Sequence, residues 1–164
     1  MAFDAVMLSA IVREIRDVAE GARVEKVQQP ERDEIVLQMH GSGGKCRLLI
    51  SAAANRPRMQ LTDQIRENPQ VPPMFCMLLR KYLTGAKLLE VKQEGLERVA
   101  RFRFSCRAEM GFSSERFLLA EIMGQYSNMI LCDAADKILG VLRPIDFATS
   151  SKRQLLPGMR YELP

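Results

Sequence analysis

The sequence predicts an α+β domain in which two repeated units, each a helix followed by about four antiparallel strands, form a β-sandwich or flattened barrel flanked by helices. Three observations predict it. First, Gly85–Phe104 (GAKLLEVKQEGLERVARFRF) echoes Gly21–His40 (GARVEKVQQPERDEIVLQMH): Gly-Ala-basic-apolar opens both, Val27 matches Val91, and Gln29 matches Gln93. Second, an amphipathic helical period precedes each copy. Third, a charged turn and then period-two alternation follow in each copy, so each small sheet has one apolar face, and two such faces must be buried together. The repeat spans about 3–62 and 74–142, and a basic tail occupies 143–164.

Phe3, Val6, Met7, Ala10, Ile11, Ile15 and Val18 fall at helical spacing, with Arg13, Arg16 and Asp17 among the residues between them, and Gly21 stops the helix. Asp4 sits in the first turn, where a carboxylate suits the positive end of the helix dipole. A strand over 24–29 is turned by Pro30-Glu31-Arg32-Asp33 into Ile35, Leu37 and Met39, which alternate with Val36, Gln38 and His40. Gly41–Gly44 is a hairpin loop; no GKS/T follows it and no helix begins there, so it is not a phosphate-binding P-loop. Short strands follow at 46–51 and 58–62, and DQIRENPQVPP is a connector.

Pro72 and Pro73 open the second helix, where missing amide protons cost little. Met74, Phe75, Met77, Leu78, Leu79, Tyr82 and Leu83 are its residues for burial, the methionines as core filler. Arg80 and Lys81 suit its last turn, and Gly85 ends it. Strand 87–93 leads through Glu94-Gly95-Leu96 into strand 99–106, where Ala100, Phe102, Phe104 and Cys106 share one face and Arg101, Arg103 and Arg107 the other. Glu121 interrupts the apolar run of 117–123, so it either pairs with an arginine across the sheet or marks an exposed edge. Strand 128–131, the Asp133–Asp136 turn and strand 138–142 complete the second unit. The tail is irregular: between Arg143 and Arg160 it holds four positive residues against one acid.

Composition narrows the function. At 164 residues with 47% apolar and 27% charged content, this is one domain with a real core, not a disordered chain. No apolar run reaches the roughly 18 residues of a membrane span, and the N-terminus carries no signal peptide, which points to a cytoplasmic protein. Cys46, Cys76, Cys106 and Cys132 form no CxxC pair and His40 is the only histidine. Neither a zinc site nor any other cofactor is expected, and the cysteines read as reduced core residues. A net charge of +4 is compatible with an anionic partner without identifying one.

Among candidate reactive groups, His40 has no serine elbow or cysteine partner, and Asp133 with Asp136 is ordinary turn chemistry. Glu97-Arg98 is different. A charged pair after a hairpin turn is usually a solvated feature. By alternation, however, Arg98 falls in phase with Ala100, Phe102 and Phe104, where it needs a partner: Glu97, Asp4 or an external phosphate.

Three long strings, ENPQVPPMFCMLLRKYLTGAKLLEVKQEGLERV, EIMGQYSNMIL and RPIDFATSSKRQLLPGMRYELP, resemble the N-terminal domain of the NFACT family, whose bacterial members are called RqcH or fibronectin-binding protein A-like. The resemblance runs nearly end to end. It implies a fold similar to the N-terminal domain of the formamidopyrimidine-DNA glycosylases. It also implies further helical, coiled-coil and C-terminal domains beyond this chain.

The function implied is ribosome-associated quality control. Family proteins bind the large ribosomal subunit carrying an obstructed chain on peptidyl-tRNA, and recruit charged tRNA, alanyl-tRNA in bacteria, for template-free C-terminal tailing. The N-terminal domain is the part associated with tRNA. The family's acid-arginine pair, usually Asp-Arg, falls on Glu97-Arg98, and its other noted acid falls on Asp4. Gln125-Tyr126 stands where relatives often carry Arg-His; Tyr126 can stack on a base. The implied tRNA-binding set is therefore Asp4, Glu97, Arg98, Arg101, Arg103, Gln125, Tyr126, Asn128, Lys152 and Arg153, with no catalytic residue. The start, Met1-Ala2-Phe3-Asp4, lacks the glycosylases' N-terminal proline and following glutamate, so a glycosylase-like enzyme is the weakest alternative. A fibronectin-binding surface adhesin is the other alternative.

Overall fold

Asp4 caps the first helix, α1 (Ala5–Ala19), by accepting a hydrogen bond from the Met7 amide at 2.8 Å. The computed structural model describes residues 4–164 apart from Leu96, 108–112, Thr149 and Ser151. Phe3 of the predicted helix and Leu96 of the second turn thus lie outside the described residues. The buried stripe of α1 is Leu8, Val12, Ile15 and Ala19. Val6 and Val18, assigned to that stripe by spacing, are exposed instead. The stripe's i, i+4, i+7, i+11 spacing is rotated from the predicted one.

Four strands follow: β1 (Arg23–Glu31), β2 (Glu34–Gly41), β3 (Gly44–Ser51) and β4 (Arg58–Leu61). β1 continues through Pro30, which was expected to turn the chain, and the turn is confined to Arg32-Asp33 between the paired Glu31 and Glu34. A register shift between Gln28 and Glu31 accommodates the proline's missing donor. β2 and β3 pair Ile35 with Ile50 and Leu37 with Leu48 on the core side, as the alternation requires.

After the connector come α2 (Met74–Leu83), β5 (Lys87–Gln93), β6 (Val99–Arg107), β7 (Ser113–Glu121), β8 (Asn128–Asp133) and β9 (Ile138–Val141). α2 buries Phe75, Cys76, Leu79 and Leu83. Its methionines are not core filler: Met74 is 88% and Met77 56% exposed, because the helix turns its Cys76–Leu79–Leu83 line inward. Leu78 lies so close to β9 that a Cβ on Gly140 would come within 1.9 Å of Leu78 Cδ2. A side chain there would force Leu78 to shift.

The nine strands of the described residues form one hydrogen-bonded sheet, ordered β4-β3-β2-β1-β5-β6-β7-β8-β9, where two separate small sheets were expected. The halves join where Arg23 pairs with Lys87, extended by Leu88 N to Ala22 O at 2.8 Å and Gly21 N to Leu88 O at 2.7 Å. Gly21 and Gly85 reach this junction with φ of +88° and +82°, left-handed conformations that end each helix and turn it into its strand. On either side of the junction the sheet forms a wing, β1–β4 and β5–β9, and apolar residues of both wings share one core with α1 and α2. A second core lies on the opposite face of the β5–β9 wing. There Val99, Leu119, Ile130, Cys132 and Ile138 are covered by Leu155 and Tyr161 of the tail. The α+β class is thus observed.

Candidate nucleic-acid interface

One end of the β5–β9 wing brings three chain segments together. Val99 pairs with Glu121, and the Ile122 amide donates to the Arg98 carbonyl at 2.9 Å, so the β5–β6 turn and the β7–β8 connection are adjacent. The Gln93 side-chain amide donates to the Glu97 carbonyl at 2.9 Å and to the Ala5 carbonyl at 3.1 Å, which ties that turn to the start of α1. Asp4, Glu97 and Arg98 therefore belong to one end of the molecule.

Asp4 and Arg98 do not form a pair: the Asp4 carboxylate is engaged as the helix cap. Among the described residues, the side chains of Glu97 and Arg98 have no hydrogen bond or ion pair, and both are exposed. The phase argument that put Arg98 at a core rim fails because β6 begins only at Val99, and Arg98 still belongs to the turn. Beside it, a 3-10 turn at Gly124–Tyr126 presents Gln125 and Tyr126 outward, Tyr126 at 72% exposure. The Ser127 hydroxyl closes this turn, accepting from Met123 N at 2.8 Å and donating to Gly124 O at 2.7 Å. Lys152 in the tail is exposed as well.

The other four residues of the implied set face other protein groups. Arg101 and Arg103 share the outer face of β6 as predicted, but each is neutralised there. Arg101 lies 3.6 Å from Glu94 and 3.5 Å from Asp136, with its guanidinium 4.0 Å above the Phe117 ring. Arg103 meets Glu115 at 2.9 Å. Asn128 is buried: its Oδ1 accepts from the Arg143 amide at 3.0 Å and its Nδ2 donates to the Arg143 carbonyl at 2.9 Å. Arg153 forks onto Glu121 with two 2.8 Å bonds.

Glu121 is fully buried, which settles its two alternatives in favour of an arginine partner, although the partner comes from the tail rather than from across the sheet. Tyr161 adds a third bond, its hydroxyl donating to Glu121 at 2.6 Å. Burial and the adjacent carboxylate push the Tyr161 phenol up, so it stays a donor. Burial alone would lower the Arg153 pKa, but its hydrogen bond to Glu121 and that carboxylate's charge outweigh burial and raise it.

Sequence reasoning missed the role of Arg143, for which the sequence carries no signal. Its guanidinium meets Asp33 at 2.7 Å and donates to Ala52 O and Ser127 O, each at 2.8 Å, joining the two wings. Among the described residues no group of three or more His, Cys, Asp or Glu side chains could hold a metal ion. All four cysteines are free. Among the described residues no helix is long and apolar enough to cross a membrane.

Residues 4–164 match the family described as "NFACT N-terminal and middle domains". Over 165 aligned residues the chain is 38% identical to "Rqc2 homolog RqcH" of Bacillus subtilis, covering 100% of this chain and 29% of that protein. It is 26% identical to mouse "Ribosome quality control complex subunit NEMF" over 141 residues, 86% of this chain and 12% of the relative. Among solved structures, the N-terminal domain of fibronectin-binding protein PavA from Streptococcus pneumoniae superposes with a TM-score of 0.94 at 39% identity, covering 99% of this chain and 62% of that one. The chain thus spans less than a third of the length of the RqcH and NEMF relatives named.

Proposed function

This chain belongs to the NFACT family, and from that premise we propose that it is the tRNA- and large-ribosomal-subunit-binding domain of a ribosome quality-control factor. In this reading it is a single binding domain without catalytic chemistry, acting in the cytoplasm. The full-length protein recruits alanyl-tRNA for template-free C-terminal tailing of stalled chains. The observation that carries the reading is the exposed Glu97-Arg98 turn, held against the start of α1 and flanked by the outward Tyr126.

The chemistry suits RNA. Arg98 offers a guanidinium to a phosphate, Glu97 and Asp4 offer carboxylates to ribose hydroxyls, and Tyr126 offers a ring face to a base, with Gln125 and Lys152 beside them. Arg101, Arg103, Asn128 and Arg153 take part by holding these elements in place. Binding of tRNA to this chain should weaken steeply with salt, by counterion release. Arg98→Ala should weaken binding at every salt concentration and, in the full-length protein, abolish alanine tailing. Tailing at the normal rate with Glu97→Ala/Arg98→Ala would refute the assignment.

A finer reading of the fold belongs to the same proposal: a duplicated unit, similar to the N-terminal domain of formamidopyrimidine-DNA glycosylases. The helix-then-antiparallel-strands order on either side of the junction supports it. Superposition of residues 5–61 on 74–133 tests it, and mismatched strand order would sink it.

The name of the PavA relative favours a second reading, in which the domain binds fibronectin. Immobilised fibronectin should then retain this chain saturably. Retention that an unrelated protein of equal charge reproduces would remove that reading.

A further inference from the structure

A groove between α1 and β5 remains outside the site described above. α1 is fastened to β5 at two places. Arg16 donates to the Val91 carbonyl at 2.8 Å and the Val91 amide donates to Glu20 at 3.3 Å, while Gln93 reaches the Ala5 carbonyl near the helix start. Between these fastenings lies an open cavity of ≈ 270 Å³, lined by Ser9, Arg13, Arg16, Lys92, Gln93 and Gly95 along with Val12. Three of its lining side chains are cationic and none is a carboxylate. Arg16 is fixed by its carbonyl bond and by Glu20 at 3.5 Å, so it forms a rigid wall. Arg13 and Lys92 are exposed and, among the described residues, their side chains have no hydrogen bond or ion pair.

We propose that this groove seats a backbone phosphate of an RNA strand whose neighbouring nucleotide lies at the Glu97-Arg98 turn; the inference rests on the RNA-binding reading and extends it. The groove has one apolar side chain among its walls, which suits a phosphodiester better than an apolar ligand. Two cations whose side chains are unpaired among the described residues face a positioned third and supply the charge, and the Ser9 hydroxyl supplies a neutral donor. Continuity selects RNA over a free nucleotide. Gly95 at the groove's edge and Gln93 in its wall belong to the hairpin that presents Glu97 and Arg98. A strand held at that turn therefore runs into the groove, and α1 and the turn are already locked together to receive it.

The test is anisotropy of fluorescein-labelled tRNA with this chain across a salt series, using wild type, Arg13→Gln/Lys92→Gln and Arg98→Ala. Arg13→Gln/Lys92→Gln removes two phosphate partners. It should raise Kd at every salt concentration and flatten the slope of log K against log salt by about 0.7, the value for one neutralised phosphate of single-stranded RNA. Melting temperature should not change, since neither side chain has a partner among the described residues. An unchanged slope for this variant, with Arg98→Ala still weakening binding, overturns the groove and leaves the domain's RNA-binding role standing. Displacement of labelled tRNA by low-millimolar AMP or inorganic phosphate, lost in Arg13→Gln/Lys92→Gln, assigns the groove to a free phosphate ligand and also overturns the proposal. Absence of tRNA binding by wild type overturns both.

Discussion

The β1–β2 and β5–β6 turns occupy matching places after the two helices, yet their charges face opposite ways. Asp33 in the first turn points into the molecule and meets Arg143 at 2.7 Å. Glu97 and Arg98 in the second point into solvent. The outer faces of the two wings differ in the same sense. In the first, Glu34 lies under Arg58 at 3.4 Å and Arg66 at 3.2 Å, a polar cover. In the second, the tail lays Leu155 and Tyr161 over Val99, Leu119 and Ile130, an apolar cover fastened by one buried carboxylate. A charged hairpin turn therefore does not reveal its own role. That depends on whether a distant segment arrives to neutralise it, and among the described residues the tail reaches Asp33 and Glu121 but no side chain of Glu97 or Arg98.

The largest effect should come from the fastening of the second wing. Arg153→Ala strands a fully buried Glu121, and losing one partner of a buried ion pair costs about 3–5 kcal/mol. Arg58→Ala in the first wing should cost about 1 kcal/mol, since Arg66 still holds Glu34. Urea midpoints measured side by side decide this, and equal losses would erase the distinction between the two covers. Next in size is Arg143→Ala. It removes the ion pair to Asp33 and the bonds to Ala52 and Ser127, for roughly 2 kcal/mol. Hydrogen exchange should then rise at both Ala52 and Asn128, not in one wing alone.

Alkaline pH probes the second core more gently. Burial, reinforced by Asp136 and Asp133, pushes the Cys132 thiol up to about 12 from an ordinary 9.0. The folded state thus keeps a proton that the unfolded chain gives up. Stability is fully present below about pH 9 and falls as pH rises toward about 12. Cys132→Ala should flatten that alkaline decline while leaving the neutral-pH slope alone. A decline of the same steepness in the variant would place the titrating group elsewhere, Tyr161 being the next to examine.

Element types and most strand positions were legible because period-two alternation and glycine stops are local signals. Ile35, Leu37 and Met39 face the core as their spacing requires, and Gly21 and Gly85 end their helices. Helix phase was less legible. Val6, Met74 and Met77 are as apolar as the residues that are buried, and only the position of the sheet decides which stripe turns inward. The continuous sheet was hidden because its central junction is short, Arg23 opposite Lys87 with a few flanking backbone bonds, and the Gly-Ala-basic motif found in both copies does not by itself say that the copies pair. At the candidate site, Glu121 announced itself by interrupting an apolar run, but its partner sits 32 residues away in a tail without periodicity. The row of Arg101 and Arg103 looked free because their acids, Glu94, Asp136 and Glu115, lie in other strands and turns.

The smallest stability effect should fall on the residues that matter most for binding. Arg98→Ala removes an exposed side chain without a partner among the described residues, so the urea midpoint should shift by no more than about 0.5 kcal/mol. Arg101→Ala, two residues on, should shift it more, because it unpairs Glu94 and Asp136 and uncovers Phe117. The order for tRNA affinity should be reversed, with Arg98→Ala causing the larger loss because its guanidinium is free to meet a phosphate. If Arg101→Ala weakened tRNA binding more than Arg98→Ala at equal folded fraction, the contact surface would lie on the outer face of β6. The exposed turn would then be a solvated hairpin like many others. If the order holds, stability and binding are carried by neighbouring arginines with opposite exposure, and the step from Arg98 to Arg101 marks where the interface ends and the fold begins.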